Sequence, residues 1–324
     1  MRPANTIQVG LKDHSMMLID CEGHQLKELS EYFSFFVPGH RYMPAFKRRV
    51  WDGKIRLFNQ MTRELNTGLY PHLKKFALDR MYPVQLVDNN EYGHPELKNK
   101  IQHKSLVKYL DSLDAPFEIR DYQYDAISYG IENKRCLLLS PTGSGKSFII
   151  YNLLRWYYDN HDKNMLIIVP TTSLVEQLYK DFYEYGFDVD NEVHRIYSGK
   201  DKITDKRIII STWQSIYRLK FDWFEQFGAV FGDEVHLFKA KSLTGVMNKC
   251  KNAEYRFGTT GTLDGTETNK LVLEGLFGLT HKVIATRDLQ VRGTLAGLDI
   301  NVILLRYHND ICLMMKGKTY AVEV

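Results

Sequence analysis

The hydrophobic pattern of the chain changes character near its first third. Residues 5–36 alternate weakly between apolar and polar positions (Ile7, Val9, Leu11, then Met17, Leu18, Ile19) and pass into a helical period from Leu26 to Phe36, which Pro38-Gly39 ends. A helix over Leu69–Met81, a strand at Val84–Val87, a polar loop from Asp88 to Pro95 and a helix over Leu97–Leu113 are predicted next. Beyond Asp114-Ala115-Pro116, short apolar runs (Leu137–Leu139, Met165–Val169, Ile208–Ile210, Ala229–Phe231) are separated by longer helical stretches. Strands apolar on both faces and divided by helices predict a doubly wound parallel α/β sheet. The expected organisation is a smaller α+β domain over residues 1–113, followed by the α/β domain.

Length and composition allow this. With 324 residues, 44% apolar and 25% charged, the chain can bury two cores. No apolar run approaches the roughly 18–20 residues of a membrane span, and the N-terminus has no signal-peptide core. A soluble, cytoplasmic protein with no membrane partner is expected. The four cysteines are far apart and support neither a disulfide framework nor a zinc site.

Charge adds a division of labour. The net +4 conceals +6 over residues 1–110 (17 Lys+Arg, 11 Asp+Glu) and −2 over the remainder. Within residues 41–56 six basic side chains, Arg41, Lys47, Arg48, Arg49, Lys54 and Arg56, face one acid and are interleaved with Tyr42, Phe46 and Trp51. Asp52-Gly53 is a two-residue hairpin signal. It predicts Val50 opposite Ile55, Trp51 opposite Lys54 and Arg49 opposite Arg56. Like charges facing each other across strands are destabilising, so the arrangement favours a polyanion held by backbone neutralisation and base stacking. A solvated basic hairpin is the plainer alternative.

The chemistry concentrates in the second part. An apolar strand breaks at Ser140-Pro141-Thr142-Gly143-Ser144-Gly145-Lys146-Ser147 and enters a helix carrying Phe148, Ile149, Leu153, Leu154 and Tyr157. Strand, glycine loop, Lys-Ser and helix form a cradle for a nucleoside triphosphate. Backbone N–H groups of Thr142, Gly143, Ser144 and Gly145 line the phosphates, Lys146 neutralises them, and Ser147 offers its hydroxyl to Mg2+. The first glycine of the usual pattern is replaced by Ser140. Asp233 and Glu234 end another apolar strand 87 residues after Lys146. Asp233 suits the metal, Glu234 the attacking water, and His236 a link between the nucleotide and its partner. About 20 residues before the loop, Arg120 and Gln123 stand at a helix start, where the Gln123 amide can read adenine. Ser173 with Glu176 spells a capping box. The hydroxyls of Thr171 and Thr172, and of Ser211 and Thr212, close two further strands at the edge where α/β sheets bind ligands, and suit a nucleic-acid phosphate. Thr260 and Thr262 follow a third strand, in reach of the acid segment.

In this order and spacing, R-D-Y-Q, S-P-T-G-S-G-K-S, V-P-T-T-S-L, S-T-W-Q, D-E-V-H and T-G-T resemble the first motor lobe of superfamily 2 helicases, over roughly residues 117–285. With P-G-H-R-Y-M-P-A-F-K-R-R-V-W-D-G-K-I-R-L-F ahead of them, the chain resembles the UvsW-type recombination and repair helicases of T-even phages. The resemblance implies a RecA-like lobe over 114–285 and a monomeric ATP- and Mg2+-dependent DNA motor. Its implied substrates are branched, duplex or single-stranded DNA: forks, migrating junctions and the RNA–DNA hybrid of R-loops. Position by position it implies phosphate and metal roles for Lys146 and Ser147, metal and water roles for Asp233 and Glu234, and adenine recognition by Gln123. Thr260 and Thr262 would couple hydrolysis to movement. Residues 286–324 then read as a connector and the start of an incomplete second lobe, its first strand at Leu298–Tyr307 and the tail His308–Val324 carrying no motif. Such motors draw arginines from that lobe, worth about 10^3- to 10^5-fold in related phosphoryl transfer, so weak ATP binding and slow hydrolysis are expected of this chain. An RNA helicase, a small-molecule kinase or simple hydrolase, and a nucleic-acid-binding module with a regulatory nucleotide site are the competing readings.

Overall fold

The computed structural model describes residues 5–238, 240–263 and 267–297; the expected strand at 298–307 and the tail lie outside them. The N-terminal part holds β1 (Ile7–Leu11), β2 (Met16–Asp20), β3 (Ser34–Phe36), β4 (Lys54–Arg56), β5 (Glu64–Asn66) and β6 (Val84–Val87). Four of them form a mixed sheet in the order β5-β2-β1-β6, with β1 and β6 parallel. Alternation along β1 and β2 turns Ile7, Val9, Leu11, Met17 and Ile19 onto one face. Leu29 from helix 23–32 and Leu73 and Phe76 from helix 70–79 share their core. The helix expected to run to Phe36 stops at Tyr32, and the aromatic run after it, a poor helix former and a good strand former, becomes β3.

The expected hairpin is replaced by a larger excursion. β3 pairs antiparallel with β4, matching Ser34 with Arg56, Phe35 with Ile55 and Phe36 with Lys54. Residues 37–53 therefore form a folded loop, with a short helix at Pro44–Lys47. Val50 does not face Ile55 but lies 76% exposed, and Arg49 adopts a left-handed φ of 57°. Arg56 pairs with Asp52 rather than opposing Arg49. His40 pins the loop: its Nδ1 lies 2.9 Å from the Val37 carbonyl, and its ring stacks on Phe36 at 4.7 Å and meets the edge of Phe46 at 4.9 Å.

The larger sheet contains β7 (Arg135–Leu139), β8 (Asn164–Val169), β9 (Val193–Ile196), β10 (Ile208–Thr212), β11 (Phe227–Gly232), β12 (Tyr255–Thr260) and β13 (Thr280–Lys282). Their order is β13-β7-β12-β11-β8-β10-β9, all parallel. Helices 121–133, 146–160 and 172–184 cover one face, and helices 240–247 and 267–277 the other. This is the doubly wound architecture the alternation predicts. Helix 103–112, ahead of residue 114, buries Leu106 and Leu110 in this second core.

The two parts are locked together by polar contacts that need near-zero clearance. The Arg256 guanidinium is buried and donates to the carbonyls of Met247 (3.2 Å), Cys250 (2.5 Å) and Ala253 (2.9 Å) and to the Ser15 hydroxyl (2.6 Å). Arg135 donates to the His14 carbonyl at 2.7 Å. Buried Glu274 accepts from the backbone N–H of Thr280 at 3.0 Å and its hydroxyl at 2.6 Å, and lies 2.7 Å from His72 Nε2. Gly68 approaches helix 267–277 so closely that a Cβ would sit 2.1 Å from the Glu274 carbonyl oxygen.

Gly68→Ala should therefore cost about 1–3 kcal/mol, the usual penalty for overpacking, read as a lower urea midpoint. A second expectation concerns acid. Burial, with Arg135 and Arg256 next in effect, pushes the His14 imidazole down to about 3. The unfolded chain takes up a proton below about pH 6.5 and the native one does not, so stability falls from there toward pH 3. His14→Gln should flatten that acid limb in pH-resolved thermal unfolding.

Candidate nucleotide site and nucleic-acid surface

The parallel register brings the carboxyl ends of β7, β12 and β11 side by side, and the site is built on that rim. The phosphate loop leaves β7, with Gly143 at φ 81° and Gly145 at φ 80°, and the helix begins at Lys146. Ser140, in place of the first glycine, is fully buried; its hydroxyl bonds Ser144 Oγ at 2.6 Å, and its N–H donates to the Thr260 carbonyl at 2.9 Å. Ser144 Oγ in turn donates to the Pro141 carbonyl at 2.5 Å. The hydroxyls of 140 and 144 thus shape the loop from within, while Thr142 and Gly143 are exposed at its crest.

β11 ends in the two acids, which part at once. Asp233 turns inward and is 6% exposed, its Oδ1 accepting from Thr259 Oγ1 at 2.6 Å and from the Glu234 N–H at 2.9 Å. Burial raises its pKa, and the Thr259 bond works against that rise. Glu234 takes a left-handed conformation, φ 48° and ψ 47°. It reaches Lys146 Nζ with Oε1 at 3.0 Å, while Oε2 lies 3.4 Å from His236 Nδ1 and 3.5 Å from the Gly261 N–H. Thr260 Oγ1 lies 2.8 Å from His236 Nδ1 and donates to the Thr262 carbonyl at 2.7 Å. Lys146, Asp233, Glu234, His236 and Thr260 therefore gather at one rim. Thr262 contributes its carbonyl. Thr259 is the partner that sequence reasoning missed; it is the first threonine of the run T-T-G-T, and only the strand's facing decides which one meets Asp233.

The donor set fits a magnesium triphosphate. A loop with two left-handed glycines at a helix N-terminus offers backbone N–H groups to an anion, and Lys146 is held opposite carboxylate oxygens of the kind that bind hard cations. Gln123 has a different part in this structure from the adenine contact expected of it. It is 4% exposed, its Nε2 donates to the Ser144 carbonyl at 2.9 Å, and its Oε1 accepts from the Arg120 N–H at 3.0 Å. Its amide braces the phosphate loop against helix 121–133. Arg120 donates from Nη1 to the Tyr122 hydroxyl at 2.7 Å. The Ser147 hydroxyl lies 3.0 Å from the Tyr185 hydroxyl.

The expected phosphate-contacting hydroxyls divide. Thr171, not Ser173, caps helix 172–184, accepting from the Leu174 N–H at 3.4 Å, and both Thr171 and Thr172 are exposed. The expected capping box does not form, because Glu176 pairs with Arg195 at 2.5 Å. Ser211 is buried and donates to the Ile196 and Thr212 carbonyls at 3.1 and 3.0 Å, and Thr212 Oγ1 bonds Ser215 at 2.9 Å. Both residues are buried and bond within the protein. On the basic loop, Arg41, Lys47, Arg49 and Trp51 line one shallow hollow of about 570 Å3. Arg48 is exposed beside them. Arg56 is paired with Asp52, the Trp51 indole N–H donates to the Lys54 carbonyl at 2.9 Å, and Lys54 Nζ lies 4.9 Å from the centre of the Phe36 ring.

Two family models match the chain: "DNA helicase UvsW, N-terminal" over residues 6–88 and "Type III restriction enzyme, res subunit" over residues 116–265. The ATP-dependent DNA helicase UvsW of Enterobacteria phage T4 is 34% identical over 329 residues, covering 98% of this chain and 64% of the relative. A crystal structure of the bacteriophage T4 UvsW helicase superposes with a TM-score of 0.77 at 32% identity, covering 86% of this chain and 99% of that one. A second T4 UvsW structure gives 0.79 at 33% identity over 98% of this chain and 63% of that one. A DNA 3'-5' translocase of Sulfurisphaera tokodaii is 24% identical over 231 residues. The chain thus spans about 64% of the length of the phage relative.

A side chain at Gly145 would place its Cβ 2.4 Å from Gln123 Nε2 in a left-handed backbone. Gly145→Ala should therefore dislodge the brace and weaken nucleotide binding at least about tenfold, a loss of about 1.4 kcal/mol, measured by calorimetry with ADP.

Proposed function

The chain belongs to the UvsW family of DNA helicases, and from that membership we propose that it carries the ATP-hydrolysing lobe and the DNA grip of a motor that remodels branched DNA. The carrying observation is the 3.0 Å pair between Lys146 and Glu234, beside the buried Asp233, on one rim of a parallel sheet. In this reading Lys146 and the loop N–H groups hold the triphosphate, and Ser147 and Asp233 hold Mg2+, which supplies charge neutralisation when bound. Glu234, released from Lys146 by the phosphates, orients and deprotonates the attacking water. His236 and Thr260 carry the state of that carboxylate into the segment after β12.

The basic loop is the DNA contact. Arg41, Lys47, Arg48 and Arg49 neutralise backbone phosphates, and Trp51 offers a flat edge beside them. Thr171 and Thr172, exposed at a helix N-terminus of 13 residues, add a phosphate contact on the motor itself. Fork regression, junction migration and removal of RNA from R-loops, in recombination and repair, are the branched-substrate activities that membership of this family implies for the chain.

The test is ATP hydrolysis titrated with single-stranded, duplex and forked DNA and with RNA. Glu234→Gln should keep nucleotide binding and lower kcat by about 10^2- to 10^4-fold, the span of general-base catalysis; wild-type turnover in that variant would refute the assignment. Arg48→Ala with Arg49→Ala should flatten the salt dependence of DNA binding by about two units of slope, leaving hydrolysis without DNA unchanged.

A further inference from the structure

The phosphate loop is braced at its base, but its crest has a different neighbour. Ser140 and Ser144 shape the loop from within, and Gln123 holds the Ser144 carbonyl, while Thr142 and Gly143 stand exposed. Among the described residues, a Cβ added at Gly143 would meet one atom within 4 Å beyond its own chain neighbours, Leu295 Cδ1 at 3.1 Å. Leu295 belongs to the connector that follows the large sheet.

The connector is folded so as to aim that side chain. Helix 286–291 carries the buried Leu289 into a small cluster with Tyr122 and Ile284. Just past its end Gly293 takes φ 70°, the left-handed residue that commonly stops a helix. The N–H groups of Thr294 and Leu295 fold back onto the Leu289 carbonyl at 3.0 and 3.2 Å, and the Thr294 hydroxyl joins them at 3.0 Å. This turn returns Leu295 to the cluster and over the loop. Outside it, Arg292 donates to Asp121 at 2.6 Å and lies 5.7 Å from the centre of the Tyr122 ring. Asp121, Tyr122 and Gln123 are consecutive, so the connector and the brace of the phosphate loop share the first turn of helix 121–133.

The docked connector accompanies a loop already in the shape that presents its N–H groups, with Gly143 and Gly145 both left-handed. Glycine loses more backbone freedom than any other residue when it is fixed. A contact that holds the crest beforehand therefore lowers the ordering cost of binding there. We infer that Leu295 is a positioning residue which, docked by the Gly293 turn, holds the crest of the phosphate loop ready for nucleotide. This rests on the assignment of that loop to ATP–Mg2+. Such coupling is reciprocal, so bound nucleotide holds the connector in turn.

The experiment measures ADP binding in Mg2+ by calorimetry for wild type, Leu295→Ala, Gly293→Val, the double variant and Gly293→Asn. Backbone hydrogen exchange of the connector is followed with and without ADP. A Cβ at Gly293 would meet nothing within 4 Å, so valine acts there only by rejecting the left-handed backbone, which asparagine tolerates. Leu295→Ala and Gly293→Val should each weaken ADP binding about fivefold, the low end of coupling between linked sites. The double variant should bind no worse than Leu295→Ala, and Gly293→Asn should match wild type. ADP should slow exchange at the Thr294 and Leu295 amides in wild type and not in Leu295→Ala. Unchanged or tighter binding in Leu295→Ala, losses that add in the double variant, asparagine as damaging as valine, or exchange that ADP leaves alone or speeds would each overturn the inference. If wild type takes up no ADP, it is the nucleotide-site assignment that fails.

Discussion

Two adjacent carboxylates at the end of one strand cannot share a direction without a cation between them. The left-handed turn at Glu234 resolves this, and the site depends on it. One acid goes inward to Thr259 and the other outward to Lys146. A non-glycine residue in that conformation costs on the order of 1–2 kcal/mol, offset here by the ion pair with Lys146 and the bond from Glu234 N–H to Asp233. The pair joins the phosphate loop after β7 to the acids after β11, across β12.

The same rim is steadied from two sides. Gln123 ties the loop to helix 121–133 through the Ser144 carbonyl, and the Ser140 N–H ties it to β12. The N-terminal part is fixed to the motor by Arg256, whose buried guanidinium satisfies carbonyls from three residues and a serine from the turn between β1 and β2. Breaking that set would leave a buried charge unpaired, an outcome costing several kcal/mol. The basic loop is therefore carried on a part that is tied to the larger sheet through Ser15 and His14.

The doubly wound sheet was legible because its strands are apolar on both faces and each is followed by a helix of ordinary length. The acids and the lysine were legible because their chemistry demands those residue types at strand ends. The basic hairpin was misread for a local reason. Asp52-Gly53 has the composition of a tight turn, but Phe36, His40 and Phe46 form an aromatic stack that folds residues 37–53 into a loop and moves the pairing to Ser34–Phe36. Capping was misplaced at Ser173 because Thr171 takes the cap instead, and Glu176 pairs with Arg195 on the next strand, β9.

What the chain determines by itself is the list of groups and the order of the strands that carry them, since both follow from residue type and period. What only the folded structure decides is how each hydroxyl and amide is used. Gln123, Ser144, Ser211 and Thr259 have the same hydrogen-bonding capacity at any position, and burial against a particular neighbour fixes whether that capacity serves a ligand or the protein. The physical reason is that a buried polar group must be satisfied by whatever lies within about 3 Å, and that distance is set by tertiary packing.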